Sequence, residues 1–160
     1  MPAQFLLNLF IAFLWVLFKD EDVFRFETLT AGFLIGIVIV FLMRRFFGGR
    51  FYLHRLYSVL MLILLFVAET MLSAYVVIKQ ILSPKINIKP GIFRYETILR
   101  GEWEVPLLAM LLTLTPGSVV MEVTEEGNAF YIHAMDIERN RGDLERSLAR
   151  FEKAIMEVTR

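Results

Sequence analysis

The sequence predicts an α-helical membrane half followed by a small cytoplasmic α+β domain. Three observations carry this. Met1 to Phe18 and Thr28 to Met43 hold no charged side chain, and a third apolar stretch runs from Leu56 to Leu82. From Ser83 onward the local signals alternate strand, helix, strand, strand, helix. In the last of these, Leu144, Leu148, Phe151, Ile155 and Val158 recur at steps of four, three, four and three, which is the spacing of an amphipathic helix over Gly142 to Val158.

The first half comes first in chain order. Residues 3–18 and about 28–47 read as two spans, the second carried past Arg44-Arg45 by Phe46 and Phe47 if the arginines reach back to the headgroups. Gly32 and Gly36 form a G-x-x-x-G spacing, which lets helix backbones approach closely in lipid. Both are therefore read as subunit-interface positions. The stretch at 56–82 is ambiguous. At 100° per residue Arg55, Ser58, Glu69, Ser73 and Gln80 fall on one stripe, so this helix either spans with its stripe against a partner or lies at the membrane surface.

Loop charges separate these options. Lys19 and Arg25 face Asp20, Glu21, Asp22 and Glu27 in the first loop, whereas the second carries Arg44, Arg45, Arg50 and Arg55 with no acid. The positive-inside bias places the second loop in the cytoplasm. Lys79, Lys85 and Lys89 follow the third stretch, which argues that the chain is still inside there. The two signals agree if the third helix does not cross. Two spans and an interfacial or partner-covered third helix are expected. The four arginines, interleaved with Phe46, Phe47, Phe51 and Tyr52, read as a lipid and interface anchor.

The second half, 83–160, starts with the breakers Ser83-Pro84 and Pro90-Gly91. Ile92 to Leu99 reads as a strand. Pro106 suits the first turn of a helix, and Leu107 to Leu114 is apolar nearly all round, which demands cover. Pro116-Gly117 reads as a type II turn, with glycine supplying the positive φ. Val119, Met121 and Val123 alternate as a strand, Glu125 to Asn128 form a hairpin turn, and Ala129 to Met135 return. Two helices on one face of a small sheet give half of a ferredoxin-like sandwich. Leu107, Leu111, Pro116 and Gly117 are the surface expected to meet another subunit.

Composition excludes several chemistries. The 160 residues are 57% hydrophobic, with 17 basic and 17 acidic side chains, so no basic excess points to nucleic acid. The absence of cysteine removes disulfides, iron–sulfur ligation and thiolate zinc sites. His54 and His133 are the only histidines, and neither has a metal-spaced companion; no metal or cofactor is expected. Gly48-Gly49 lacks the lysine of a phosphate loop, and Ser118 lacks the G-x-S-x-G elbow. The first apolar run lacks the flanks of a signal peptide and is expected to be retained.

Glu69 is the acid inside an apolar run, and such a carboxylate is by default a candidate for proton or sodium passage. No lysine or second acid in the other two runs completes a relay, so any pathway needs another subunit. The plainer reading is a stripe residue paired with a neighbour.

TLTPGSVV, the hairpin that follows, YIHAMD and the charged C-terminal helix, together with RRFF…FYLHRL and SPKINIKPGIFRYET, resemble the E subunit of Mrp-type multisubunit sodium/proton antiporters. A similar subunit occurs in membrane-bound hydrogenase-type complexes. The resemblance implies a non-catalytic membrane subunit in the prokaryotic plasma membrane, with other integral membrane subunits and lipid as partners. The equivalent subunit of an ion-pumping hydrogenase or sulfur-reducing complex is an alternative that these residues do not separate. A stand-alone small transporter or a membrane-tethered enzyme is the other; it would need a converging polar site, and the sequence offers none.

Overall fold

A computed structural model describes residues 2–19, 25–47, 51–84 and 88–160. Asp20, Glu21, Asp22, Gly48, Gly49, Arg50 and Lys85 lie outside them, as does the side chain of Arg44. The chain divides into two compact units, 1–57 and 58–160.

The first unit holds α1 (Pro2–Phe18), α2 (Phe26–Leu42), a short 3-10 turn (Met43–Phe46) and the first residues of α3 (Tyr52–Ile81). The second helix therefore stops at Leu42, short of the expected residue 47, and the chain tightens into the 3-10 turn across Arg44-Arg45. The α1–α2 hairpin is closed by small and polar residues. Gln4, Asn8 and Ala12 are buried on α1; Thr28, Gly32, Gly36 and Val40 are buried on α2. Both sets step by four, so each helix turns one stripe inward. Phe5, Leu6, Phe10, Phe13 and Leu17 point outward, as do Leu34, Val38 and Phe41. At 17 residues each, α1 and α2 reach about 25 Å, below the ~30 Å hydrocarbon thickness.

The second unit contains the rest of α3, then β1 (Gly91–Glu96), α4 (Glu104–Leu114), β2 (Ser118–Val123), β3 (Ala129–Ala134) and α5 (Ile137–Thr159). The sheet is antiparallel in the order β1-β3-β2. Phe93, Phe130, Ile132 and Ala134 present its covered face to Leu108, Leu111 and Leu112 of α4 and to Leu148, Phe151 and Ile155 of α5. Leu62, Leu65 and Phe66 of α3 join the same core. The strand–helix–strand–strand–helix order and the α+β class are as the sequence predicts.

Three local differences have physical causes. The last helix begins at Ile137 rather than Gly142, because Asp136 caps it by accepting the Arg139 N–H at 3.4 Å. The alternation of β2 fails at Met121, where a bulge leaves that residue outside the pairing between Val120–Ile132 and Glu122–Tyr131. Leu111 was expected on a partner surface, but it lies 7% exposed in the chain's own core, and Leu107 packs against that core. The outward side of α4 is instead Met110 and Leu114. Gly117, at φ +90°, adopts the left-handed conformation its turn requires.

Among the described residues, α3 is the one helix long and apolar enough to cross a membrane. Its length alone does not decide what it does. From Leu62 to Val77 one side of it is covered within the second unit: Leu62 is buried in the core, and a Cβ placed on Gly117 would stand 3.4 Å from Val77. The other side, including Leu60, Ile63, Leu64, Met71, Tyr75 and Ile78, is bare.

Candidate functional site

Among the described residues of the second unit four carboxylates are buried; Asp136 caps α5, and the other three each tie a helix to another element. Glu69 projects from the covered side of α3 toward α5. Its Oε2 accepts the Ser147 hydroxyl at 2.8 Å, and its Oε1 meets Arg150 Nη2 at 2.8 Å. Ser147 and Arg150 are three apart, so the helical repeat places both on the side of α5 that faces Glu69. Glu69 is 6% exposed, whereas the Arg150 side chain is 55% exposed. One end of the ion pair is thus dry and the other is wet.

Glu104 starts α4 and reaches the end of α5. It accepts from the Thr159 hydroxyl at 2.6 Å and from Arg160 Nε and Nη2 at 3.2 and 3.1 Å, while the backbone N–H groups of Arg100 and Gly101 complete its shell. These donors, the Arg160 side chain first, pull its pKa down from 4.5 to about 2. Glu152 accepts from the Thr97 and Tyr95 hydroxyls and the Ile98 N–H. Burial first, and then the Glu152 charge, pushes the Tyr95 phenol well above its usual range. No group of three or more histidine or acidic side chains suited to a metal occurs among the described residues.

In the first unit, Tyr52 plays the tying role. Its N–H donates to Gln4 Oε1 at 2.9 Å, and its hydroxyl oxygen accepts from Asn8 Nδ2 at 2.7 Å. Phe5 and Phe51 stack edge-on against its ring, with centroids 6.0 and 4.9 Å away, and Phe41 stacks edge-on against Phe51 at 5.5 Å. Gln4 and Asn8 were not singled out in the sequence. Two amides four residues apart in an otherwise apolar, uncharged run were the available signal, since such groups need partners wherever water is absent.

The remaining sequence candidates are placed as follows. Gly32 and Gly36 face α1 of the same chain, not another subunit: a Cβ on Gly32 would stand 2.7 Å from Trp15 Cβ, and one on Gly36 would overlap Asn8 Oδ1. Arg45 is exposed on the 3-10 turn, and Arg55 is half-buried in the first turn of α3. Pro116 and Gly117 are exposed and border a cavity beside α3. His133 is half-buried on the sheet face that carries Tyr131, between Ile92 and Val119 in the register.

A family profile described as MNHE: Na+/H+ ion antiporter subunit matches residues 8–158. The chain belongs to this family. The E subunit of the Na(+)/H(+) antiporter of Bacillus subtilis (strain 168) is 42% identical over 164 residues, covering all of both chains. A chain of the membrane-bound sulfane sulfur reductase, an archaeal respiratory membrane complex, is 22% identical, with a TM-score of 0.53 over 97% of this chain and 99% of that one; it shares the fold. A chain of the Mrp complex from Dietzia sp. DQ12-45-1b is 28% identical over 64% of this chain and 96% of that one, with a TM-score of 0.46. Membership agrees with the resemblance read in TLTPGSVV and YIHAMD, and it makes the chain an antiporter subunit rather than a stand-alone transporter.

Proposed function

We propose that this chain is a structural membrane subunit of an Mrp-type multisubunit sodium/proton antiporter, which it helps to assemble without itself moving ions or catalysing a reaction. The observation that carries this is full-length membership of the antiporter-subunit family, joined to Glu69, Glu104 and Glu152, three buried carboxylates that each tie a helix to another element. The α1–α2 hairpin supports a membrane setting: its interior is amides, glycines and alanine, and its exterior is large apolar side chains. That sorting is stable in lipid and unfavourable in water.

Residues 1–82 are read as the membrane region and 83–160 as its cytoplasmic domain. The arginine-rich loop and the lysines after α3 support the cytoplasmic side. The cover along Leu62 to Val77 supports an α3 that lies at the membrane surface, with its bare apolar side toward lipid or a neighbouring subunit. Arg45 and Arg55, with Arg44 and Arg50 beside them in sequence, are read as the lipid anchor.

Glu69 acts as a latch between α3 and α5. Glu69→Gln is expected to cost about 1–2 kcal/mol of stability in the second unit, while sodium-dependent proton movement per assembled complex stays unchanged. Normal assembly with transport lost would make Glu69 part of the ion path. The whole reading is tested by two measurements. The purified chain in liposomes should show no gradient activity above background. Deleting it should lower the amount of intact complex recovered in mild detergent. Activity in liposomes, or a fully assembled but silent complex, overturns the reading.

A further inference from the structure

A cavity of about 670 Å³ lies within the second unit, between the second half of α3, the Thr115–Ser118 turn and the first half of α5. Its walls are largely apolar: Leu72, Val76 and Val77 on one side, Pro116 and Ala134 on another. Its charged groups are Glu69, Asp136, Asp143, Arg146 and Arg150. Four of these pair with each other: Glu69 with Arg150, and Asp143 with Arg146. Asp136 is left over.

Asp136 is 2% exposed. Its Oδ1 caps α5 through the Arg139 N–H, and its Oδ2 has no hydrogen-bond partner among the described residues. A buried carboxylate oxygen without a donor is costly, and the cost is recovered when a donor arrives. The volume is many times that of one water or one bare ion, since a water occupies about 30 Å³. An occupant that lies along these walls and reaches Asp136 needs an apolar stem and a cationic tip. A basic side chain has that shape: methylenes to lie along Leu72, Val76 and Pro116, and a charged head for Asp136.

We propose that this cavity receives a lysine or arginine side chain of another subunit of the complex, with Asp136 as its counter-charge. This rests on the reading of the chain as an assembly subunit, which supplies a protein partner. Anchors of this kind, a long basic side chain set in a pocket opposite a buried acid, concentrate binding energy in few residues.

The experiment uses the full chain, tagged and expressed with its complex, then purified in mild detergent. Wild-type recovery of partner subunits tests the assembly reading itself. Asp136→Asn tests the inference, because asparagine caps a helix as well as aspartate does and removes only the charge. The isolated Asp136→Asn chain is expected to melt at or above the wild-type temperature, while recovery of partners with it falls at least tenfold. Val76→Phe, which narrows the cavity without touching any charge, is expected to lower recovery likewise.

Undiminished recovery with Asp136→Asn overturns the proposal. So does a sodium chloride-specific rise in the melting temperature of the isolated wild-type chain that potassium chloride does not give and Asp136→Asn abolishes; the cavity is then a cation site. If Asp136→Asn lowers the melting temperature of the chain itself, Val76→Phe decides, and full recovery with it overturns the proposal.

Discussion

The two units of this chain are sorted in opposite senses. In the α1–α2 hairpin, amides, glycines and an alanine face inward while phenylalanines and leucines face outward. In the β1–α5 unit, Phe93, Phe130, Phe151 and Ile155 face inward, and Arg94, Glu122, Glu138 and Arg141 face outward. The same backbone physics operates in both. On the proposed reading, what differs is the medium each is built for. Against water, burying apolar area is the driving force, at about 25 cal/mol per Å². Against lipid tails that term vanishes between helices, so close backbone approach and satisfied polar groups decide. The buried carboxylates fit the same logic: they occur in the unit where exposed arginines can reach their partners, as Arg150 and Arg160 do.

The comparison yields experiments in order of effect. Phe151→Ala should remove about 3–5 kcal/mol from the second unit, because it empties the centre of an apolar core. Urea denaturation in mild detergent, followed by near-UV circular dichroism, measures it. A cost below about 1 kcal/mol would mean that this unit does not rely on its core.

Gly36→Ala should cost the hairpin about 1–3 kcal/mol, since the new methyl takes the place of Asn8 Oδ1. Adding Asn8→Ala should recover part of that loss by vacating the notch. A double-mutant cycle read by SDS titration supplies the coupling. Strict additivity of the two changes would break the claim that α1 and α2 meet through this notch.

Acid should act on the second unit through Glu104. Its folded-state pKa is depressed from 4.5 to about 2. Its contribution is therefore complete above the unfolded value near 4.5 and is lost as pH falls from there toward 2. Glu104→Gln should flatten the melting temperature across that window. An unchanged acid slope would overturn this assignment.

Gly142→Ala is the smallest effect and carries the opposite sign. Gly142 lies inside α5 with open space around its Cβ position. Alanine should stabilise α5 by about 0.5–1 kcal/mol, by lowering backbone entropy in the unfolded chain. Set beside Gly36→Ala, it contrasts a glycine required by contact with one required by nothing in the fold, and a destabilising result would remove that contrast.

By itself the sequence determined the class and element order of the second unit, because apolar periodicity and turn residues are local signals. The 4-3-4-3 spacing in α5, the Pro116-Gly117 turn and the Gly127 hairpin, at φ +65°, are all of this kind. The family was legible too, from motifs that run nearly the whole length. The helix start at Asp136 was missed because Gly142 reads as a boundary until a cap six residues earlier is recognised. Only the tertiary structure decided which polar residue meets which. Glu69 and Arg150 are 81 positions apart, and Asn8 and Tyr52 are 44 apart. A residue's own type fixes the need for a partner, but its partner depends on which helix faces lie together, and that follows from the summed packing of both. Leu111 and the two glycines teach the same lesson. Their types called for close cover, and the fold supplied it from within the chain.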